Sequence, residues 1–255
     1  MALLEVIDVT QRFGGLQALS CFDMIVEERE IVGLIGPNGA GKTTVFNLVS
    51  GFYTPTTGEI RFRGKSTRGM KPNQVTALGL ARTFQNIRLW NDMTVLDNVR
   101  MARYHWLGYG LLDAILRTRR YAQAEKAVEA KARHVLEIME LEDCATELPK
   151  NLPYGLQRRV ELARALTVEP SLLLLDEPAA GLNSADVDGL IRQIRWIHEN
   201  FDVAIWMIEH QMKVVMTLCQ RLTVIDFGSI IASGTPVEVQ KNPKVIAAYL
   251  GEERL

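Results

Sequence analysis

Hydrophobic and polar positions along the first 85 residues alternate in short blocks, a pattern that indicates β-strands. The blocks are short apolar runs that lie between turn residues, and they read EVIDV, MIVEE, EIVGLIG, EIRFRG and LARTFQ. One helix, KTTVFNLVSG, is predicted among them, and Gly51 is expected to end it. This part of the chain is therefore expected to be mostly sheet.

From about residue 92 the apolar period lengthens to that of amphipathic helices. MTVLDNVRMARYHW opens with Thr94 and Asp97 at the spacing of a capping box. RRYAQAEKAVEAKARHVLEIMEL is long and charged, with one apolar stripe. The region of about 88–165 is therefore predicted to be a helical insertion.

After the insertion, apolar strands alternate with helical sequences. The predicted strands are SLLLLDE, VAIWMIE and RLTVID, and the helices between them are SADVDGLIRQIRWIHEN and QMKVVMTLCQ. This alternation predicts an α/β fold with a mainly parallel sheet. The final sequence, TPVEVQKNPKVIAAYL, is expected to form a cap and one short helix.

The composition limits the kinds of partner. The 255 residues include 29 Lys and Arg against 30 Asp and Glu, a net charge of -1 that gives no reason to expect nucleic acid. The apolar runs are far shorter than the ~20 residues of a membrane-spanning helix. The cysteines Cys21, Cys144 and Cys219 lack metal-binding spacing, which suits a reduced cytosolic protein. One folding unit with an insertion is expected.

The sequence GLIGPNGAGKTT has the spacing of a phosphate-binding loop, and it lies between a predicted strand and a predicted helix. Glycines let successive N–H groups point at phosphate oxygens, Lys42 neutralises the β- and γ-phosphates, and the Thr43 hydroxyl ligates Mg²⁺. The predicted nucleotide contacts in this loop are Gly36, Pro37, Asn38, Gly39, Ala40, Gly41, Lys42, Thr43 and Thr44.

The sequence LLLLDEP supplies an acidic pair at the end of a predicted buried strand. In an α/β sheet this is the end where ligands bind, so Asp176 is the expected Mg²⁺ ligand and Glu177 the expected base for the attacking water. The alternative is that the two acidic residues only end a strand at the surface. The phosphate-binding loop favours the functional interpretation.

Five motifs in this order resemble the nucleotide-binding subunits of ATP-binding cassette (ABC) transporters. They read GPNGAGKT, TFQ, YGLQRR, LLLLDEPAAGLN and IEH. The resemblance implies a P-loop NTPase core of ABC type, with a mainly parallel sheet, an antiparallel β subdomain and an inserted helical subdomain. One nucleotide-binding domain is expected over 1–255. Its parts would be a core at about 1–87 and 166–235, a helical subdomain at about 88–165 and a C-terminal helix at about 236–251.

The same resemblance implies roles for three further residues. Gln85 matches the glutamine that reaches the Mg²⁺ and the nucleophilic water and senses the membrane partner. His210 matches the histidine that contacts the γ-phosphate, and Phe13 lies where such subunits stack an aromatic ring on adenine. Without the family, Gln85 would be a solvated residue, His210 a helix cap and Phe13 a core residue.

The family signature, usually L-S-G-G-Q, closes on ATP held by the opposite subunit. Residues 152–156 occupy its positions with the sequence LPYGL. Pro153 lacks the serine hydroxyl and Leu156 replaces the glutamine, so Tyr154 and Gly155 are expected to meet the γ-phosphate through backbone groups at a helix start. Free N–H groups are expected from about Tyr154 onward.

Less general features resemble the ATPase subunits of bacterial importers for branched-chain amino acids. They include RFGGLQAL, IEHQMKVVM and the tail GTPVEVQKNPKVIAAYLGE. The resemblance implies ATP and Mg²⁺ as cofactors, integral membrane permease subunits, a second ATPase subunit (a copy or a paralogue) and, indirectly, a substrate-binding protein. The expected location is peripheral, on the cytoplasmic side of the inner membrane, with residues 86–110 docking the permease. Trp90 is expected to take part in this docking. The alternative is that it fills the small core of the insertion itself.

Three other functions are alternatives to this one. The related importers of urea and amides share much of the pattern. A regulatory nucleotide-binding subunit with a weak signature would leave hydrolysis to a partner chain. A soluble ATPase of translation or DNA repair would usually carry two cassettes or a long coiled-coil insertion, and this sequence has neither.

Overall fold

The computed structural model describes residues 2–104 and 108–250. The strands are β1 (Ala2–Phe13), β2 (Leu16–Glu27), β3 (Ile31–Ile35), β4 (Thr57–Phe62), β5 (Lys65–Ser66), β6 (Leu80–Arg82), β7 (Leu172–Asp176), β8 (Ala204–Ile208), β9 (Arg221–Asp226) and β10 (Ser229–Gly234). The helices are α1 (Lys42–Val49), α2 (Pro72–Ala77), α3 (Val95–Met101), α4 (Leu111–Ile115), α5 (Arg119–Ile138), α6 (Tyr154–Leu166), α7 (Ser184–Asn200), α8 (Met212–Leu218), α9 (Pro236–Gln240) and α10 (Pro243–Leu250). The end of the predicted helix MTVLDNVRMARYHW and the last residue of the expected C-terminal helix lie outside the described residues.

The chain forms two compact units, one made of Asn86–Pro170 and the other of the residues on both sides of it. The larger unit contains an antiparallel sheet of order β2-β1-β4-β5 and a second sheet of order β10-β9-β3-β8-β7-β6. The second sheet is parallel apart from β10. The predicted α/β fold with a mainly parallel sheet is therefore confirmed.

The central strands of the parallel sheet are buried along their whole length. Every residue of β3, β7 and β8 is buried, which explains their near-continuous apolar sequences. Phe46 on α1 packs edge-on against Trp206 on β8, with ring centroids 5.2 Å apart. Helix α7, which lies between β7 and β8 in the sequence, buries the apolar residues Val187, Leu190 and Ile194 at helical spacing. This core fixes the carboxyl ends of the three strands.

The smaller unit is helical. Its longest helix, α5, buries Val128, Ala132, Val135 and Leu136, which are the stripe expected from the sequence. Helix α3 begins as expected, because the Thr94 side chain accepts a hydrogen bond from the N–H of Asp97. Helix α6 and the turn after it extend this unit to Pro170.

Two parts of the larger unit differ from the expected elements. The first 85 residues contain a second helix, α2, whose start is capped by a hydrogen bond from the Lys71 N–H to Gln74 Oε1 of 2.8 Å. The C-terminal sequence from Thr235 onward forms two helices instead of one, and the strand β10 before it was not expected. The Asn242 side chain accepts from the N–H of Lys244, and this cap, followed by Pro243, starts α10 as a separate helix.

Gly228, between β9 and β10, joins the two sheets to the loop before α1. Its N–H donates to Ala40 O and its carbonyl accepts from the N–H of Ser20, both at 2.9 Å. Its φ is +75°, and a Cβ there would lie 2.5 Å from Ala18 O. Only glycine therefore fits this position without a shift of the neighbouring strand.

We expect Gly228→Ala to lower the free energy of unfolding more than Gly64→Ala. Gly64 has a similar φ of +72° but nothing within 4 Å of an added Cβ. Gly64→Ala should cost about 1–2 kcal/mol of backbone strain, and Gly228→Ala about 1–3 kcal/mol more through overpacking. Urea unfolding of both variants measures the difference, and equal losses would contradict the close contact at Gly228.

Candidate functional site

The loop between β3 and α1 has a backbone that glycine alone adopts easily. Gly36, Gly39 and Gly41 have φ values of 154°, 80° and 106°. A Cβ on Gly36 would lie 2.1 Å from Ile225 O, so this position also excludes larger residues by contact. The loop therefore has the curled backbone on which the predicted phosphate contacts depend.

The lysine of this loop folds back onto the loop itself. Lys42 Nζ donates to Gly36 O at 2.7 Å and to Pro37 O at 2.8 Å. Burial lowers the pKa of Lys42, and the carboxylates of Glu177 and Asp176 partly offset this lowering. Lys42 thus lies within electrostatic reach of both predicted acidic residues. Thr43 and Thr44 follow it in the first turn of α1, and Thr43 is exposed.

A cavity of about 650 Å³ lies on one side of the loop. Its walls include Pro37, Asn38, Gly39 and Ala40 from the loop, and Lys244 from α10. Its lining does not include Lys42 or the acidic pair. The sequence analysis did not anticipate that α10 reaches the loop.

The acidic pair ends β7, but its members have different surroundings. Asp176 is 5% exposed, and its Oδ2 accepts from Arg82 Nη2 at 2.8 Å. Glu177 has a left-handed backbone with φ of 47°, and its N–H donates to Ile208 O at 2.9 Å. A strained residue of this kind costs roughly 1–3 kcal/mol and is held by its neighbours. The alternative of an acidic pair that merely ends a strand at the surface is wrong for Asp176.

Two of the three further residues implied by the family resemblance, Gln85 and His210, lie beside Glu177. Gln85 Nε2 donates to Glu177 Oε2 at 2.7 Å, although Gln85 precedes it by 92 residues. His210 Nδ1 lies 3.8 Å from the same oxygen. Gln211, not His210, is the N-cap of α8 and makes no side-chain cap bond, so the helix-cap alternative for His210 is wrong.

A third acidic residue, Glu209, was not anticipated. It directly follows β8 and is fully buried, and its Oε1 accepts from the N–H of Ala179 at 2.7 Å. Its Oε2 accepts from the N–H groups of His210 and Gln211 at 3.0 and 3.1 Å. Glu209 therefore ties the chain after Glu177 to the turn that carries His210. A carboxylate ending the apolar sequence VAIWMIE was the available signal.

Phe13 ends β1 with 41% of its surface exposed. Its ring packs edge-on against Tyr53, with centroids 5.2 Å apart. The core alternative for Phe13 is therefore wrong, and an exposed aromatic surface is present where the adenine contact was predicted.

The signature segment lies in the smaller unit at the start of α6. Pro153 is the N-cap residue and makes no side-chain cap bond. The N–H groups of Leu156 and Gln157 donate to Pro153 O at 3.0 and 3.1 Å. The expectation of free N–H groups from about Tyr154 onward is therefore wrong for these two residues. A Cβ at Gly155 would meet no atom within 4 Å. The backbone at this glycine is therefore open to an approaching ligand.

Tyr154 is held by a buried ion pair. Arg158 Nη2 donates to the Tyr154 hydroxyl at 3.0 Å, and its guanidinium lies 5.4 Å from the centre of the tyrosine ring. Arg158 Nη1 also binds Glu161 at 3.0 Å, and both charged side chains are at most 6% exposed. This network orients the first turn of α6.

Comparisons with known proteins identify the family. A model of the ABC transporter family matches residues 19–180, and one described as branched-chain amino acid ATP-binding cassette transporter matches residues 229–254. Among the described residues, no helix has the length and apolar character needed to cross a membrane.

The relatives and a solved structure cover nearly the whole chain. The high-affinity branched-chain amino acid transport ATP-binding protein of Pseudomonas aeruginosa is 42% identical, and that of Salmonella typhimurium 44%, each over 98% of both chains. The crystal structure of a nucleotide-free ATP-binding cassette from an ABC transporter has a TM-score of 0.85 at 28% identity, covering 99% of this chain and 100% of that one. The predicted resemblance is therefore confirmed, and the chain belongs to the ATP-binding cassette family of transporter ATPases.

Proposed function

We propose that this subunit hydrolyses ATP to drive the import of branched-chain amino acids. The observation that carries the proposal is the convergence of Gln85 and His210 on Glu177, within electrostatic reach of Lys42. The cargo is supported by the names of the relatives and by the matched C-terminal segment.

The phosphate-binding loop would hold the triphosphate of ATP. Lys42 makes two hydrogen bonds to loop carbonyls, and its third N–H would donate to a phosphate oxygen. Phe13, beside Tyr53, offers an exposed ring for the adenine. The loop residues 38–44 would then contribute backbone N–H groups, and the positive end of α1 favours the negative charge.

The donor set near the loop fits Mg²⁺. Asp176, Thr43 and Gln85 offer a carboxylate, a hydroxyl and an amide oxygen, which are hard ligands, and Mg²⁺ in such sites is bound by few protein groups plus phosphates. When bound, the ion would neutralise charge on the β- and γ-phosphates. Asp176 would hold it directly or through water.

Glu177 would be the base that polarises the attacking water. Gln85 Nε2 donates to Glu177 Oε2 at 2.7 Å, and His210 Nδ1 lies 3.8 Å from the same oxygen. The second oxygen is then available for the water, while His210 is half exposed and able to reach the γ-phosphate. The left-handed backbone of Glu177 fixes the direction of its side chain.

The signature segment would act on ATP held by a second ATPase subunit, either a copy or a paralogue. The open backbone at Gly155 and the fixed first turn of α6 support contact through main-chain groups. Hydrolysis would then require a head-to-tail dimer with two ATP molecules at its interface.

The smaller unit offers an apolar surface for permease subunits. Trp90 is 47% exposed, its backbone is fixed on both sides by Asn98, and the guanidinium of Arg164 lies 5.3 Å from its ring centre. The alternative that Trp90 fills the unit's core is therefore wrong. Further exposed aliphatic side chains lie around α4, namely Leu111, Leu112, Ile115 and Leu116. Docking here would hold the subunit peripherally on the cytoplasmic side of the inner membrane, with a substrate-binding protein acting on the far side.

Two alternatives remain for experiment. A urea or amide importer would use the same ATPase chemistry, and copurification from a membrane fraction would identify its different permease and binding protein. A regulatory subunit with a weakened signature would bind ATP without turnover. The convergence on Glu177 favours hydrolysis.

We expect Glu177→Gln to keep ATP binding, lose about 10²–10⁴-fold in turnover and accumulate the ATP-bound dimer, because an amide cannot accept the proton. Lys42→Ala is the contrasting variant, since it should weaken nucleotide binding itself. ATP hydrolysis by the reconstituted transporter and nucleotide affinity of the isolated subunit give the two readouts. Turnover at the wild-type rate in Glu177→Gln would remove Glu177 from this role.

We expect Gly155→Asp to abolish ATP-induced dimerisation and hydrolysis while nucleotide affinity of the monomer is unchanged. The added carboxylate would face the triphosphate, and the open space at Gly155 lets the variant fold. The paired variant Pro153→Ser restores only a hydroxyl and should change activity by one hydrogen bond to a charged group, about 1.5–3 kcal/mol at most. Normal hydrolysis in Gly155→Asp would make this segment an ordinary helix start.

We expect Trp90→Ala to reduce assembly with the permease and to spare ATP binding by the isolated subunit. Because the ring is half exposed, its removal should cost little folding stability. Trp196→Ala, which removes a tryptophan of similar exposure (40%) on α7, is the matched control. Copurification measures assembly, and a loss that is equal in both variants would argue against docking at Trp90.

A further inference from the structure

Arg82, the last residue of β6, is a buried cation beside the predicted metal ligand. Its side chain is 5% exposed, and its Nη2 lies 2.8 Å from Asp176 Oδ2. Its Nη1 donates to Asn47 Oδ1 at 2.8 Å and to Ser50 Oγ at 3.0 Å. One guanidinium therefore binds the carboxylate that ends β7 and two side chains at the end of α1 and just beyond it.

Aromatic rings complete the surroundings of Arg82. The guanidinium carbon lies 5.0 Å from the centre of the Phe84 ring, 5.5 Å from that of Phe46 and 5.9 Å from that of Phe52. A cation among three rings has little freedom to rotate, and its planar fork fixes the direction of each hydrogen bond. The carboxylate it holds is fixed in turn.

The placement of Arg82 in the chain connects three parts of the proposed site. Helix α1 begins at Lys42, β7 ends at Asp176, and Gln85 follows Arg82 by three residues. A shift of any of these elements therefore changes the position of the others through the same guanidinium.

We propose that Arg82 is a positioning residue for metal-dependent nucleotide binding. By holding Oδ2 of Asp176, it leaves Oδ1 for the coordination shell of Mg²⁺ and keeps this oxygen in a fixed relation to the loop that precedes α1. The proposal rests on the proposed function, in which Asp176 is a Mg²⁺ ligand. It assigns Arg82 no contact with the nucleotide.

A purely structural ion pair gives a different expectation. If Arg82 only stabilised the fold, its replacement would lower the unfolding temperature and would affect nucleotide binding equally with and without metal. A positioning residue instead alters the gain in affinity that Mg²⁺ provides. The test must therefore measure binding in both conditions.

The experiment measures affinity of the full chain for a fluorescent ATP analogue in EDTA and in Mg²⁺. Arg82→Met should keep the EDTA affinity within about twofold and lower the Mg²⁺-dependent gain by about tenfold or more, the loss expected for a charge-assisted hydrogen bond. Arg82→Lys, which keeps the charge but cannot hold Asp176 and both α1-side partners at once, should retain part of the gain. Thermal unfolding identifies any variant that has lost its fold, and Arg82→Lys then carries the test.

Two further variants make the result decisive. In an Asp176→Asn background, Arg82→Met should cause no additional loss of the Mg²⁺-dependent gain, because the two residues act together. Arg221→Met removes a different arginine, one paired with Glu30 through two contacts of 3.1 Å, and should leave the gain unchanged.

Three outcomes would overturn the proposal. They are an unchanged Mg²⁺-dependent gain in both Arg82 variants, an equal loss of affinity in EDTA and Mg²⁺, and losses that add to that of Asp176→Asn. If the wild-type chain itself bound the analogue no better with Mg²⁺ than with EDTA, the metal assignment within the proposed function would fail instead. The two failures are therefore distinguishable.

Discussion

Parallel pairing of β7 with β8 is the constraint on which the candidate site depends. Asp176 is in register with Ile208, so the acidic residues Glu177 and Glu209 follow the two strands at the same edge. The hydrogen bond from the Glu177 N–H to Ile208 O continues this pairing by one residue. Because β3 pairs with the other side of β8, the phosphate-binding loop leaves the sheet at the same edge.

The edge of the sheet is then organised by buried charge rather than by apolar contact. Glu209 accepts three backbone N–H groups, and Asp176 is paired with Arg82. Buried carboxylates of this kind are tolerated because each has strong donors. A carboxylate that lost its donors would be a buried, uncompensated charge. Because Glu209 binds N–H groups after both β7 and β8, the loops that follow these two strands are coupled more strongly than their separation in sequence indicates.

Sequence reasoning predicted the strands other than β5 and β10, and the phosphate-binding loop, because these depend on local periodicity and spacing. It missed Arg82 and Glu209 because their importance arises from partners 94 and 30 residues away. It also merged α9 and α10, since the Asn242 cap between them leaves the apolar period nearly unbroken. The placement of Gln85 at the site was implied by family resemblance alone, its hydrogen bond to Glu177 was not predicted, and the chemical roles of both residues stay predictions.

The way Lys42 is folded affects what happens each time a nucleotide leaves. Its ammonium group bridges Gly36 O and Pro37 O, so the curl of the loop is held in part by the loop's own side chain. Such a loop does not have to be rebuilt at every cycle, and less conformational entropy is lost on binding. An ammonium group has three N–H donors, so one would remain for a phosphate oxygen while the other two hold the loop. In the proposed function a single side chain therefore both keeps the shape of the loop and binds its ligand.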